Sequence, residues 1–225
     1  MKILIVTGGS IDLPFAKTFL DKHSFDRIIA ADAGLAACDS LGIRPTDILG
    51  DFDSLKNLEL RERYRQEGIP VREFPTRKDF TDTHLAVEYA IDLWKEKYSG
   101  EHSGEGVWIL GGSGTRMDHT LANIGMLVRM ADLQIPCKMV DSHNEMELLK
   151  GPMEKKYQKD PSVKYFSLLA FSNEVKGIDL IGFSYPLEKA TLHAFISMGI
   201  SNEIEEEYGI VRFEEGYLLL VRSRD

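Results

Sequence analysis

The sequence predicts an α/β protein in which a parallel β-sheet is followed by an antiparallel β-sandwich or barrel. Before about residue 141, short apolar runs alternate with stretches of helical periodicity, a pattern typical of parallel strands joined by helices. After it, strand-like runs follow one another with only turn residues between them, a pattern typical of antiparallel sheets. The 225 residues suffice for one large domain or two modest ones.

Six apolar runs predict the parallel strands, at residues 3–6, 28–31, 47–49, 69–74, 107–110 and 137–140. The clearest helix places a set of large and small apolar residues on one face: Leu85, Ala86, Tyr89, Ala90, Leu93 and Trp94. A second helix has the same spacing: Leu121, Ile124, Leu127, Val128 and Ala131.

The second part contains strand-like runs at residues 146–149, 165–171, 175–181, 190–196, 210–213 and 217–221. Turn signals such as Lys150-Gly151-Pro152 separate them. We expect the last two runs to form a hairpin around a Glu-Glu-Gly turn at residues 214–216. Residues 98–106, rich in glycine and serine, and the charged residues 154–161 are interpreted as surface connections.

The composition argues against several classes of protein. No window approaches the ~20 apolar residues of a membrane helix, and the apolar run at residues 3–6 is too short for a signal peptide. The net charge of −9 argues against binding a nucleic-acid backbone. The two cysteines, Cys38 and Cys137, form no CxxC motif, so neither a disulfide framework nor a zinc site is indicated, and a reducing cytoplasm fits.

Acids, glycines and bases follow four of the predicted parallel strands. Their segments are Asp32-Ala33-Gly34, Gly50-Asp51-Phe52-Asp53-Ser54, residues 75–82 (PTRKDFTD) and residues 111–119 (GGSGTRMDH). In open α/β sheets, ligands bind in the crevice outside the carboxyl ends of the strands. We therefore expect these four segments to meet at one edge of the sheet.

The residue types indicate a site for a metal-bound nucleotide. Asp51 and Asp53 are two apart, so in extended backbone their carboxylates point the same way, and such oxygen ligands suit magnesium. Asp82 lies near the start of a helix, where a carboxylate is stabilised. The glycines at 111–114 let backbone amides approach an anion, and Arg116 offers a fork of donors to phosphate. This inventory predicts phosphoryl or pyrophosphoryl transfer.

Other interpretations stay open at this point. A lone Asp-x-Asp often only caps a turn, Asp32 could be a helix N-cap, and Arg116 could form a surface ion pair with Asp118. A rival enzyme is a metal-dependent phosphatase with Asp51 as its nucleophile. A rival from another class is a non-catalytic nucleotide-binding sensor, which would bind its ligands without transferring a group between them.

Taken in order, these segments resemble the motifs of thiamine pyrophosphokinases. The resemblance is carried by ADAG at residues 31–34, LGIRPTD at 41–47, GDFDS at 50–54, KDFTD at 78–82, GGSGTRMDH at 111–119 and GISNE at 199–203. It implies a Rossmann-like N-terminal α/β domain (residues 1–142), a C-terminal antiparallel β-sandwich domain (143–225), and a cytoplasmic homodimer. Its active site would lie in a cleft between subunits, with thiamine bound by the second domain of the partner.

The resemblance also implies roles for individual residues. The magnesium ligands would be Asp51, Asp53 and Asp82. ATP would be contacted by Asp32, Lys78, Asp79, Thr81, Gly112, Arg116 and Asp118, and thiamine by Ser201 and Asn202. The thiamine hydroxyl would attack the β-phosphorus of ATP, with AMP leaving, and Asp79 is the candidate base. Catalysis would rest on Asp51, Asp53, Asp79, Asp82 and Arg116.

Two positions depart from the family pattern. Ala33 stands where the family usually has glycine. Eukaryotic members place a tryptophan near thiamine, whereas Trp94 and Trp108 both fall in the first domain, so that stacking partner is missing or replaced.

Overall fold

The computed structural model describes residues 1–53, 55, 57–77, 79–98 and 105–224. Lys78, predicted to contact ATP, and most of the predicted 98–106 connection lie outside these residues. Contacts divide the chain into two compact units, Met1–Ser142 and His143–Asp225. Within the described ranges, none of the helices combines the length and apolarity needed to cross a membrane.

The first unit is built on six parallel strands in the order β4-β3-β2-β1-β5-β6. The strands are β1 (Lys2–Val6), β2 (Arg27–Ala31), β3 (Asp47–Gly50), β4 (Val71–Glu73), β5 (Gly106–Leu110) and β6 (Cys137–Val140). The helices are α1 (Leu13–Lys22), α2 (Gly34–Leu41), α3 (Leu58–Gln66), α4 (Asp82–Lys97) and α5 (Met117–Asp132). The strand order reverses direction at β1, between β2 and β5, which is where ligands bind in such sheets.

Burial follows the apolar pattern of the sequence. Strand β1 is covered on both faces, and Ile3, Leu4 and Ile5 have no exposed surface. The buried face of α4 is formed by Ala86, Val87, Ala90, Ile91 and Trp94, together with Thr83. The predicted α/β class is confirmed in this unit.

A buried carboxylate fixes the beginning of β3. Asp47 is 2% exposed and accepts hydrogen bonds from Arg27 Nη2 (2.8 Å), Tyr89 Oη (2.8 Å) and Thr46 Oγ1 (2.7 Å). A buried charge is tolerated when its oxygens are satisfied in this way. Because Asp47 lies four residues before Asp51, the same network holds the strand that delivers the acidic segment.

The second unit is an antiparallel β-sandwich, as predicted. One sheet has the order β7-β13-β9, with β7 (Asn144–Lys150), β13 (Tyr217–Ser223) and β9 (Tyr165–Ala170). The other has the order β11-β10-β12-β8, with β11 (Leu187–His193), β10 (Glu174–Ile181), β12 (Tyr208–Phe213) and β8 (Met153–Gln158). Apolar residues of both sheets form one core, including Phe166, Leu168, Val211, Phe213, Leu218 and Leu220.

The predicted final hairpin is wrong. Strand β12 pairs with β10 and β8, whereas β13 pairs with β7 and β9. The turn at residues 214–216 therefore carries the chain from one sheet to the other. Its backbone is bonded to β10 instead: Glu214 N donates to the Lys176 carbonyl (2.9 Å), and Lys176 N donates to the Glu215 carbonyl (3.0 Å). Gly216, at φ 101°, completes the turn.

The interpretation of residues 154–161 as a connection is also wrong, because most of them form β8. The strand was missed because it lies at the edge of its sheet, beside β12, and two of its three exposed positions carry charges, Glu154 and Lys156, as is common at exposed edges. Only Tyr157 is fully buried in it.

Candidate functional site

A crevice of about 600 Å³ opens at the carboxyl ends of the parallel strands. The segments after β1, β2, β3, β4 and β5 all contribute to its lining. Eight of the predicted site residues lie along it: Asp32, Asp51, Asp53, Asp79, Thr81, Asp82, Gly112 and Arg116. Asp118 does not line the crevice, and Ser201 and Asn202 lie in the second unit.

Three carboxylates form the most compact group in the crevice. One oxygen each of Asp32, Asp51 and Asp53 lies within 4.8 Å of the others. From the sequence we expected extended backbone to bring the carboxylates of Asp51 and Asp53 together. In the structure a turn at Phe52 brings them together instead. Phe52 has φ 61° and is 3% exposed, so the chain turns at a buried aromatic anchor, and Asp53 N donates to Asp51 Oδ1 over 3.2 Å.

Asp32 joins this group through a local conformation that the sequence did not reveal. Its φ of 48° lies in the left-handed region, and the N-cap of α2 is Ala33, so the alternative interpretation of Asp32 as an N-cap is wrong. Gly50 packs directly against it, since a Cβ at Gly50 would come within 3.1 Å of the Asp32 backbone. Glycine at position 50 thus lets the acidic segments after β2 and β3 approach each other.

The start of α4 brings further acids to the crevice. Thr81 is the N-cap, and its Oγ1 accepts a hydrogen bond from His84 N (3.2 Å). Asp82 therefore occupies the first turn, as predicted, where the helix dipole favours a negative charge. Asp82 and Asp79 both line the crevice but do not belong to the compact group of three.

The glycine-rich segments after β1 and β5 lie against each other. Gly9 N donates to the Gly111 carbonyl (3.0 Å) and Ser10 N to that of Ser113 (3.1 Å). A Cβ at Gly9 would be 2.1 Å from the Gly111 oxygen, so no larger residue fits there. Gly112 packs on Met139, whose Sδ would lie 2.5 Å from an added Cβ. These glycines allow close backbone packing at the floor of the crevice.

Polar side chains missed in the sequence support this floor. Thr83 Oγ1 donates to Thr7 Oγ1 (3.1 Å), and Asn123 Nδ2 donates to the Gly112 carbonyl (2.7 Å). The side chains of Thr7, Thr83 and Asn123 are buried and line the crevice. The sequence does contain a signal for these buried polar residues, because Thr83 and Asn123 interrupt the apolar faces of α4 and α5.

Arg116 lies at the rim of the crevice and precedes α5. Its guanidinium donates from Nη2 to Asp118 Oδ2 (2.6 Å) and from Nε to Oδ1 (3.2 Å). Arg116 lowers the pKa of the Asp118 carboxyl to about 2. The surface ion pair considered from the sequence is therefore present, and it leaves Asp118 oriented toward Arg116.

The two residues predicted to contact thiamine differ in exposure. Ser201 is exposed, whereas Asn202 is 2% exposed and its side chain is hydrogen-bonded within the second unit.

Comparison with known proteins gives a consistent picture. Residues 18–139 match the family described as "Thiamin pyrophosphokinase, catalytic domain", and residues 155–218 match "Thiamin pyrophosphokinase, vitamin B1 binding domain". The chain is 31% identical over 224 residues to the thiamine pyrophosphokinase of Bacillus subtilis (strain 168), covering 99% of each protein.

Solved structures agree with these matches. A thiamine pyrophosphokinase from Bacillus subtilis superimposes with a TM-score of 0.85 at 29% identity, covering 100% of both chains. A thiamin pyrophosphokinase from Geobacillus thermodenitrificans gives 0.83 at 27% identity, covering 100% of this chain and 98% of its own.

Proposed function

Because this chain belongs to the thiamin pyrophosphokinase family, we propose that the crevice of its first unit is where it makes thiamine diphosphate and AMP from thiamine and ATP. The reaction is that of the family, and the enzyme is a thiamine diphosphokinase. We place the reaction in this crevice because Asp32, Asp51 and Asp53 converge there, beside the glycine-rich floor.

The donor set fits a magnesium ion. Magnesium takes oxygen ligands and is bound by one or two carboxylates plus substrate phosphates, and three carboxylates from two strand ends offer such ligands. We propose Asp51 and Asp53 as ligands, with Asp32 beside them and Asp82 reaching the ion from α4. When bound, the ion would neutralise charge on the phosphate oxygens.

The remaining residues of the crevice bind and orient the triphosphate. Arg116 at the rim presents a planar fork that matches phosphate oxygens. We propose that the glycine-rich segment around Gly112, which lines the crevice, presents backbone amides to the anion. Thr81 holds the start of α4, and Asp79 is the candidate to accept the proton of the thiamine hydroxyl. Positioning and electrostatics supply most of the rate in such transfers.

We propose that the second unit supplies the thiamine contacts, through the segment that includes Ser201 and Asn202, and that the enzyme works as a cytoplasmic homodimer. The match of residues 155–218 to a vitamin B1 binding domain supports the first part. Light scattering at several protein concentrations tests the second, and a strictly monomeric active enzyme would contradict it.

Mass spectrometry of the products after incubation with ATP, magnesium and thiamine tests the proposed function. We expect thiamine diphosphate and AMP in equal amounts. Formation of ADP would indicate transfer of one phosphoryl group, and release of phosphate from simple esters without thiamine would favour the phosphatase alternative. Binding of both ligands without AMP would favour a sensor.

A further inference from the structure

The turn between Asp51 and Asp53 is unusual because its central residue is bulky. Phe52 has φ 61°, a left-handed conformation that is rare for large side chains and is retained only where the surrounding structure holds it. The residue is 3% exposed and belongs to the same core cluster as Leu60 and Tyr64 of α3. The two carboxylates therefore keep their positions only while the Phe52 ring keeps its own.

Arg61 of α3 stacks on this ring. Its guanidinium carbon Cζ lies 5.2 Å from the centroid of the Phe52 ring, close enough for a cation to be attracted to an aromatic face. The Arg61 side chain is 23% exposed, and the attraction strengthens when the cation is partly removed from water. Its Nε is buried and has no hydrogen-bond partner among the described residues. A guanidinium that leaves this donor unpaired is held by its other contacts, of which the ring is one.

A second contact of Arg61 is with the end of β4. Its Nη1 lies 3.7 Å from Oε1 of Glu73, the last residue of that strand. The Glu73 side chain is 49% exposed and also accepts a hydrogen bond from Arg65, so its pairing with Arg61 is weak and screened by solvent. Glu73 pairs in register with Gly50, the residue directly before Asp51. Arg61 thus joins the acidic turn after β3 to the strand beside it, and we expect the ring contact to be the stronger of the two.

The charge of Arg61 allows two roles to be separated. A cation near a metal site repels the metal ion, so removal of the charge alone would tighten metal binding. Removal of the ring contact would instead free the turn at Phe52 and weaken metal binding, because the ligand side chains are no longer oriented together. The two roles therefore predict opposite effects of the same substitution.

We propose that Arg61 is a positioning residue for the metal site: its guanidinium holds the Phe52 ring, and the ring holds the left-handed turn that brings the carboxylates of Asp51 and Asp53 together. This inference rests on the proposed function, because it concerns the ligands of the proposed magnesium ion. Arg61 acts through Phe52 and not by contact with the metal or the nucleotide.

Metal binding to the full-length protein tests the proposal without turnover. Mn²⁺ serves as the probe, because it prefers the same oxygen ligands as magnesium and its free concentration is measured by electron paramagnetic resonance. The nucleotide is an ATP analogue with a methylene group between the α- and β-phosphorus atoms, where the transfer would break a bond. We expect R61M to raise the Mn²⁺ dissociation constant about fivefold and F52L about tenfold. Unchanged or tighter binding in R61M would overturn the proposal.

A double-mutant cycle shows whether Arg61 acts through Phe52. If it does, R61M in the F52L background should change the Mn²⁺ dissociation constant by less than about twofold. A loss as large as that in the wild-type background would show that Arg61 acts by another route and would overturn the proposal. E73Q should also have an effect below about twofold, because the exposed ion pair is weak. An E73Q effect equal to that of R61M would assign the positioning to the ion pair and contradict the role of the ring.

Arg63 provides a matched control on the same helix. Its Cζ lies 4.7 Å from the centroid of the Tyr64 ring and its guanidinium pairs with Asp39, so it makes the same two kinds of contact as Arg61. Its ring partner lies within α3 and not in the acidic turn. R63M should therefore keep the Mn²⁺ dissociation constant within about twofold of wild type, even if it lowers the midpoint of urea unfolding. An equal loss of binding in R63M would show a general effect of α3 stability and would overturn the proposal. R61Q repeats the test if R61M does not fold.

D51N separates failure of this inference from failure of the proposed function. If the carboxylates of the crevice bind the metal, D51N should weaken Mn²⁺ binding more than R61M does. Weakened binding in D51N together with wild-type binding in R61M would overturn the inference alone. Wild-type binding of Mn²⁺ in D51N would remove the metal site itself, and with it both the inference and the proposed location of the transfer.

Discussion

Arg116 and Asp118 form a two-pronged ion pair at the rim of the crevice, with 2.6 Å between Nη2 and Oδ2. Asp118 was expected from the family resemblance to contact ATP. Its carboxylate accepts two hydrogen bonds from the guanidinium of Arg116. We propose that Asp118 orients Arg116 and that Arg116 contacts the phosphates of ATP.

This relationship predicts unequal effects of substitution. Arg116→Ala should lower kcat/KM for ATP by about a hundredfold, because a donor aimed at developing charge is lost. Asp118→Ala should cost about tenfold and nothing further in the Arg116→Ala background. Steady-state kinetics on the three variants measure this. A further loss from Asp118→Ala when Arg116 is already absent would show that Asp118 touches substrate.

The ion pair also predicts a pH profile. Because the pKa of Asp118 is lowered to about 2, the carboxyl stays charged in the folded protein across the neutral range. Any stability from the pair is present above the ordinary aspartate pKa and lost only as pH falls toward 2. The Asp118→Asn variant should therefore have the same activity–pH profile above pH 5 as the wild type, apart from its scale.

The close packing around Gly9 predicts that a larger residue there destabilises the protein. Gly9→Ala would place a Cβ 2.1 Å from the Gly111 oxygen and 2.5 Å from that of Ser113, so the two segments must separate. We expect a loss of about 2–3 kcal/mol in the free energy of unfolding and a severe loss of activity. Gly125→Ala is the matched control, since nothing lies within 4 Å of its Cβ. It should stabilise α5 by about 0.5–1 kcal/mol in urea unfolding and leave activity intact.

Glu147 and Lys155 predict a stability effect confined to the second unit. The Glu147 side chain is 6% exposed, and its Oε2 lies 2.5 Å from Lys155 Nζ, joining β7 of one sheet to β8 of the other. Lys155→Met should cost about 3 kcal/mol, because it removes the cation paired with a buried carboxylate. Adding Glu147→Leu should recover most of that loss. Urea unfolding measures both, and a Lys155→Met protein as stable as wild type would contradict the account.

The burial of Cys38 predicts that its thiol does not react with disulfide reagents in the folded protein. Burial raises its pKa to about 12, and Cys137 is buried as well. Since the thiolate is the reactive form, a disulfide reagent at pH 8 should label neither cysteine in the folded protein and both after denaturation. Rapid labelling of the native enzyme would contradict the burial of these side chains.

The sequence predicted most of the first unit because its strands are apolar on both faces and its helices have strong periodicity. Strand β8 was missed because three consecutive charged residues, Glu154, Lys155 and Lys156, occupy its middle. The predicted final hairpin was wrong because a turn sequence does not say which sheet its second strand joins. The site was predictable as a set of strand ends. The left-handed backbone at Asp32 and Phe52 was not predictable, because neither residue type signals a positive φ on its own, and at Asp32 it accompanies close packing against Gly50.

AMP formation by Asp51→Asn tests whether the carboxylates of the crevice hold the metal and its triphosphate. The variant keeps the size of the side chain and removes one charge from the group that includes Asp32 and Asp53. We expect AMP formation to fall by at least about a hundredfold with an unchanged circular dichroism spectrum, whereas Asp92→Asn, on the exposed side of α4, keeps wild-type activity. Near-normal turnover in Asp51→Asn would contradict the assignment of the crevice as the site of transfer.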